Sequence, residues 1–113
     1  MIGEVYQVHI TSAAETDLYE IAAYLAYTRR EPGSAHKFLL TIREQAEALS
    51  ESPGRRKRVD EEPWRTLGFH RIRAKNWYIY YRVIEEKKQV DITGICYIRK
   101  DQETFLNQMD IES

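Results

Sequence analysis

LGFHRIRA (residues 67–74), WYIYYRVI (77–84) and QVDITGICYI (89–98) are three neighbouring segments rich in aromatic and β-branched residues. Only Lys75-Asn76 and the polar residues 85–88 (EEKK) separate them. Segments of this composition favour β-strands, and connections this short join antiparallel neighbours. The sequence therefore predicts a meander of three antiparallel strands.

The residues before the meander predict one more strand and two helices. Residues 5–10 (VYQVHI) alternate as a half-buried strand does. Apolar residues then recur at helical spacing across residues 14–25 and again across 38–49. Pro32-Gly33 and Pro53-Gly54 are the expected stops of these two helices. A short turn between them would make a helical hairpin.

Polar residues mark the expected helix starts. Ser12, with Glu15 three residues later, has the spacing of a capping box, and Ser34 is the expected N-cap of the second helix. Asp101 is the expected N-cap of a short C-terminal helix. The docking side of that last helix would consist of Phe105, Leu106 and Met109.

These elements define an α+β fold. We expect an N-terminal strand, a two-helix hairpin that packs on one face of an antiparallel sheet of about four strands, and a short C-terminal helix. With 113 residues, the chain is expected to form a single domain over residues 1–113. We expect a cytoplasmic protein without a membrane segment, because residues 1–4 (MIGE) lack signal-peptide features and no apolar run approaches ~20 residues.

Charge is distributed unevenly along the chain. The net charge is −1, yet nine of the seventeen Lys and Arg residues lie within residues 55–82, beside only three acidic residues. A local basic surface suits a polyanionic partner, although the acidity of the remaining chain opposes that interpretation. Arg55 and Arg56 open a four-cation run next to the acidic residues 60–62, and this run predicts a solvated loop or a nucleic-acid contact.

One face of the predicted sheet is a candidate functional surface. Strand side chains alternate between faces, so each strand has one apolar side and one side with Arg and Tyr. Guanidinium groups bind phosphates and tyrosine rings stack on unpaired bases, but the same residues also stabilise sheets across strands and mark protein interfaces. The expected members are Arg71, Arg73, Tyr78, Tyr80, Arg82, Tyr97 and Arg99.

Signatures of other chemistry are missing from the sequence. The three histidines have no metal-ligand spacing, and no Walker loop, Rossmann glycine pattern or nucleophile elbow occurs. Cys96, the only cysteine, has apolar neighbours and is predicted to be a small core residue. No metal and no cofactor are expected.

The chain resembles the RelE/ParE family of type II toxins, which includes plasmid stabilisation proteins. The order of elements carries the resemblance across almost the whole chain, together with these stretches: residues 17–21 (DLYEI), 68–74 (GFHRIRA), 77–83 (WYIYYRV) and 95–101 (ICYIRKD). It implies a growth-inhibiting toxin that a cognate antitoxin binds and silences in a hetero-oligomer.

The resemblance also implies two possible targets. RelE-like members cut mRNA on the ribosome without metal. In that branch Arg71, Arg73 and Arg99 match basic residues that bind and polarise the scissile phosphate. Tyr97 would transfer the proton if its hydroxyl faces the same cleft. The expected RNA contacts on the sheet face and in the basic run are Tyr78, Tyr80, Arg82, Arg55 and Arg56. ParE-like members instead bind DNA gyrase and perform no chemistry.

Two positions differ from the RelE-like nuclease pattern. Tyr78 stands where those nucleases have an arginine, and Phe105 stands where they have a late tyrosine. A phenyl ring cannot transfer a proton. The stretch from Tyr97 to Asp101 is closer to the ParE-like branch. The sequence therefore supports three hypotheses: mRNA cleavage, gyrase inhibition, and a degenerate relative that only binds an antitoxin. The Arg/Tyr face slightly favours cleavage.

Overall fold

The computed structural model describes residues 5–110. It confirms the α+β class. In chain order the elements are β1 (Gln7–Ile10), α1 (Ser12–Ala23), α2 (Pro32–Ala48), β2 (Phe69–Ala74), β3 (Trp77–Ile84), β4 (Gln89–Tyr97) and α3 (Gln102–Gln108). Residues 1–4 and 111–113 lie outside the described part. The expectation of a cytoplasmic location rests partly on residues 1–4.

The sheet is mixed rather than fully antiparallel. Its strand order is β1-β4-β3-β2, and the meander β2-β3-β4 is antiparallel as predicted. β1 pairs with β4 in parallel, with Val8 opposite Val90 and Ile10 opposite Ile92. A tight turn forces antiparallel pairing, whereas β1 reaches the sheet through two helices and a long segment, so its direction is not constrained in that way.

Two helix starts differ from the predicted caps. The N-cap of α1 is Thr11, whose Oγ1 accepts a hydrogen bond from the Ala14 amide at 3.2 Å, so the cap lies one residue before Ser12. α2 begins at Pro32, which occupies the first turn instead of ending the previous helix. Proline is well suited to that position, because the first helical amides have no acceptor within the helix. Asp101 caps α3 as predicted, accepting from the Thr104 amide.

The main core lies between the helical hairpin and one face of the sheet. It is built from buried residues of both helices and of the three long strands, chiefly Ala14, Phe38, Ile42, Leu49, Ile72, Ile79, Tyr81, Val90, Ile92 and Ile95. Asp17 joins α1 to the sheet, because its carboxylate accepts the Ile95 amide at 3.0 Å. Burial of that carboxyl raises the pKa of Asp17.

A second, smaller core covers the opposite face of the sheet. Here α3 and the segment 56–68 pack over the strands through Val59, Phe69, Tyr80, Cys96, Phe105 and Leu106. Cys96 is a buried core residue, as predicted, and burial raises the pKa of its thiol to about 11. The Arg/Tyr face is therefore partly covered and is not an open solvent surface.

A β-bulge in β4 changes the face of the residues that follow it within that strand. Tyr80 pairs with Gly94 while the next residue, Tyr81, pairs with Ile92, so Thr93 is the extra residue. A bulge adds one residue to one strand and shifts the alternation that follows. Tyr97 consequently lies on the helix side against Trp77, with ring centroids 5.6 Å apart. Its predicted place on the Arg/Tyr face is wrong for this reason.

Candidate functional site

The Arg/Tyr face is assembled by the pairing of β2 with β3. In this register Arg71 lies opposite Tyr80 and Arg73 lies opposite Tyr78. Each guanidinium thus stands beside a phenol ring on the same face of the sheet. Arg82 pairs with Phe69 at the far end of β3, where its guanidinium lies 5.8 Å from the Phe69 ring centroid.

Arg71 is held by an internal network. Its Nη1 donates to Glu61 Oε2 at 3.2 Å and to the Tyr80 hydroxyl at 3.1 Å. The guanidinium also lies 4.9 Å from the ring centroid of Tyr78. Glu61 comes from the acidic triplet in the segment that covers this face, and its Oε1 is buried without a hydrogen-bond partner in the described structure. The positive charge of Arg71 is therefore already neutralised within the chain.

Tyr80 is the most enclosed member of this face. Its side chain is fully buried and its ring stacks on Phe105 of α3, with centroids 5.5 Å apart. The hydroxyl donates to Gln102 Oε1 at 2.5 Å, at the first turn of α3. Burial raises the pKa of Tyr80 to about 12, partly opposed by the nearby Arg71. In this conformation the ring cannot stack on a base, because α3 occupies that position.

The open part of the face is smaller than the sequence predicted. Arg73 is exposed and its Nε donates to the Lys75 carbonyl at 2.8 Å, while Tyr78 is half-buried. Arg99 is exposed beyond the end of β4, at the same end of the sheet, since the neighbouring Ile98 amide donates to the Asn76 carbonyl. Arg73 and Arg99 form no ion pair with any other residue between 5 and 110.

Arg55 and Arg56 are exposed in the segment that follows α2. This segment runs beside the edge of the sheet, because Arg58 and His70 form an isolated β-bridge. The Tyr81 hydroxyl also donates to the Pro53 carbonyl at 2.7 Å. Neither Arg55 nor Arg56 is hydrogen-bonded to the Arg71 network. Their contact with nucleic acid therefore stays a prediction, separate from the Arg/Tyr face.

Sequence reasoning missed Glu61 as the partner of Arg71. The acidic run at residues 60–62 was visible as a signal, but only the fold places one of its carboxylates over the sheet. Within residues 5–110, no group of three or more His, Cys, Asp or Glu residues is arranged to hold a metal ion. The same residues contain no helix long and apolar enough to cross a membrane.

Solved structures share this fold. The chain resembles the chromosomal ParDE toxin–antitoxin system from P. aeruginosa at a TM-score of 0.67 and 22% identity, over 86% of this chain and 100% of that one. It resembles the toxin–antitoxin complex RelBE2 from Mycobacterium tuberculosis at a TM-score of 0.61 and 24% identity, over 82% of this chain and 91% of that one. It also resembles a mutant of the E. coli toxin RelE in the free state, at a TM-score of 0.58 and 13% identity, over 89% of this chain and 92% of that one.

Among proteins of curated function, no sequence matches significantly. The family model described as ParE toxin of type II toxin-antitoxin system, parDE, matches residues 8–104. That match spans most of the chain and includes every residue of the four strands except Gln7. The chain therefore belongs to the ParE toxin family of type II toxin–antitoxin systems.

Proposed function

We propose that this toxin arrests growth by binding a protein target without performing chemistry, and that the target is DNA gyrase, as the ParE resemblance implies. The observation that carries the proposal is the position of the two tyrosines expected to serve a nuclease. Tyr80 is buried under α3, and Tyr97 lies on the opposite face of the sheet.

Metal-free cleavage of RNA needs groups that move protons beside the cations that bind the phosphate. The hydroxyl of Tyr80 is bonded to Gln102, and burial raises the pKa of Tyr80 to about 12, far from the operating pH. Phe105, at the position of the late nuclease tyrosine, has no hydroxyl. Arg71 is also neutralised by Glu61. This arrangement supports binding more than catalysis.

Ribosome-dependent mRNA cleavage is the second candidate, and Tyr78 is the observation that favours it. Tyr78 is the half-buried phenol directly opposite Arg73, and the Arg71 guanidinium lies over its ring. In a nuclease, Arg73 and Arg99 would bind the phosphate and stabilise its developing charge, while Tyr78 would transfer a proton. The two candidates therefore differ in whether the Tyr78 hydroxyl is needed.

Induction in cells distinguishes them. We expect growth arrest with a DNA-damage response, uncut mRNA when 5′ ends are mapped, and inhibition of purified gyrase in a supercoiling assay. Tyr78→Phe removes only the hydroxyl and should leave toxicity unchanged, because binding a protein surface needs no proton transfer. Codon-phased mRNA cleavage that disappears in Tyr78→Phe would contradict gyrase inhibition and establish the nuclease.

A cognate antitoxin is the proposed partner, since the RelBE2 structure is of a toxin–antitoxin complex. An apolar groove of about 430 Å³ lies between the edge strand β1 and the helices, lined by Val8, Ile10, Leu18, Leu39 and Ile42. Leu39 is 44% exposed there. An exposed apolar groove beside an open strand edge suits an extended or helical peptide with apolar side chains. We propose that a segment of the antitoxin occupies this groove.

A further inference from the structure

A second cavity, the hairpin-end pocket, lies on the helix side of the sheet, away from the Arg/Tyr face. It has a volume of about 380 Å³ and is bounded by the turn between α1 and α2 and by the β2–β3 turn. Tyr24 and Arg29 come from the turn between α1 and α2, and Lys37 comes from α2 itself. On the sheet side the lining residues are Lys75 of the β2–β3 turn, Trp77 of β3 and Tyr97 of β4. The volume is within the range of small-ligand sites.

Aromatic rings form one side of this pocket. Trp77 packs edge-on against the buried Phe38, with centroids 4.7 Å apart, and Tyr97 packs against Trp77 at 5.6 Å. Phe38 therefore fixes the indole from the core side. Tyr97 is 43% exposed and Tyr24 is 52% exposed, so both rings keep surface available to a ligand.

Three cationic side chains line the pocket beside these rings. Arg29, Lys37 and Lys75 line it together with a single carboxylate, that of Glu31. Glu31 is already engaged, because it accepts hydrogen bonds from Ser34 at 2.9 Å and from Arg29 at 3.1 Å. The hydrogen bonds from Ser34 and Arg29 lower the pKa of Glu31, so it remains ionised at neutral pH. Within residues 5–110, Lys37 and Lys75 have no ion-pair partner.

The local backbone brings these groups together. A π-helical turn, Tyr24–Thr28, directly follows α1, and the Arg29 amide donates to the Tyr24 carbonyl at 2.9 Å. This wider turn sets Tyr24 and Arg29 at the same end of the helix, and such turns are frequent at functional sites. Lys75 has a φ of 57°, a conformation that Asn or Gly adopts at lower cost. The lysine side chain is not required by the turn itself.

We propose that the hairpin-end pocket binds a nucleotide unit, an aromatic base joined through its sugar to a phosphate. The base would stack against Tyr97 and Tyr24, and the phosphate would bind the ammonium groups of Lys37 and Lys75. A nucleoside without phosphate, or phosphate alone, would use only half of the site. The unit can be a free nucleotide or one residue of a single strand. The inference is independent of the target proposed above.

Calorimetric titration of the full chain, made by cell-free synthesis, tests this site. The probes are adenosine monophosphate, adenosine, inorganic phosphate and a short single-stranded oligonucleotide. We expect the monophosphate to bind with a dissociation constant below about 1 mM, and adenosine and phosphate to bind about tenfold more weakly. An oligonucleotide that binds about tenfold more tightly than the monophosphate identifies a strand as the ligand, and equal affinities identify the free nucleotide.

Matched variants connect the binding to the pocket. Tyr97→Leu and Lys75→Gln should each weaken the binding of adenosine monophosphate by about tenfold. The first removes a stacking ring and the second a phosphate contact. Tyr19→Leu and Lys87→Gln change exposed residues outside the pocket and should have no effect. Thermal denaturation verifies that each variant is folded. Absence of saturable binding up to about 10 mM of any probe, or affinities unchanged in both pocket variants, would overturn the proposal.

Discussion

His70 is buried next to the edge of the sheet, where its ring stacks on Tyr81 with centroids 4.9 Å apart and 9° between the planes. Its Nδ1 lies 3.3 Å from the carbonyl oxygen of Lys57. Burial lowers the pKa of His70, opposed in part by hydrogen bonds to backbone carbonyls. The folded chain therefore favours the neutral imidazole more than the unfolded chain does.

This residue makes folding stability depend on pH below neutrality. Above the unfolded pKa of about 6.5 the histidine is neutral in both states. As the pH falls below that value, the unfolded chain binds the proton first, so the free energy of unfolding decreases by up to about 1.4 kcal/mol per pH unit. We predict that His70→Gln flattens the pH dependence of the melting temperature between about pH 7 and 5.

His36→Gln is the control for this measurement, because His36 is exposed on α2. It should reproduce the pH profile of the unchanged chain. A His70→Gln profile that stays as steep as the original would show that another group causes the loss. Arg71 likewise shows that surroundings decide the role of a residue. Its type predicted phosphate binding, but in the fold its guanidinium forms an ion pair with Glu61.

Among the elements, α3 depends on one glycine of the sheet. Gly94 lies opposite Tyr80 beneath the helix, and a Cβ placed there would stand 2.8 Å from Cε2 of Phe105 and 3.0 Å from Sδ of Met109. The distance to Phe105 is shorter than real Cβ contacts allow, and the distance to Met109 is tighter than most of them. The close packing of α3 on β4 thus requires a residue without a side chain at this position.

Gly94→Ala should therefore loosen α3. We predict a loss of about 1–3 kcal/mol in the free energy of unfolding, typical of an overpacked core, and a melting temperature lower by about 4–13 °C. Thermal denaturation followed by circular dichroism measures it. Phe105→Leu in the same chain should recover part of the loss, because the smaller side chain leaves room for the methyl group.

Gly33→Ala is the matched control, since Gly33 lies in the first turn of α2 with nothing within 4 Å of an added Cβ. Alanine favours helices more than glycine, so the melting temperature should be unchanged or slightly higher. If Gly94→Ala were equally harmless, α3 would not be packed on β4 as described.

Across the whole molecule, the sheet carries a core on each face and a groove at its β1 edge. If the antitoxin occupies that groove, a charge placed there should release the toxin. We predict that Leu39→Arg keeps toxicity but weakens neutralisation by the co-expressed antitoxin, because a guanidinium replaces a side chain that would be buried against the partner. Growth with both proteins induced, and co-purification, measure the effect.

Leu40 provides the control. It is 42% exposed on the same helix but does not line the groove. Leu40→Arg changes charge and size identically, so neutralisation should persist. Equal loss of neutralisation in both variants would place the antitoxin elsewhere on α2, and no loss in either would place it off this face.

The sequence by itself determined the class of fold and the family. Hydrophobic period, turn residues and caps are local properties, and they were sufficient for the meander, the helical hairpin and the Asp101 cap of α3. Errors at this level were small, such as the cap at Thr11 and the start of α2 at Pro32. The motif stretches also predicted the toxin family, which the match over residues 8–104 confirms.

Only the tertiary structure decided which groups meet. The bulge at Thr93 moves Tyr97 to the helix side, and the pattern of β4 alone does not reveal which of its residues lacks a partner on β3. The burial of Tyr80 and the pairing of Arg71 with Glu61 depend on where α3 and the segment 56–68 lie. The positions of α3 and of the segment 56–68 are set by the packing of both cores. The alternation of side chains within a single strand does not encode that packing.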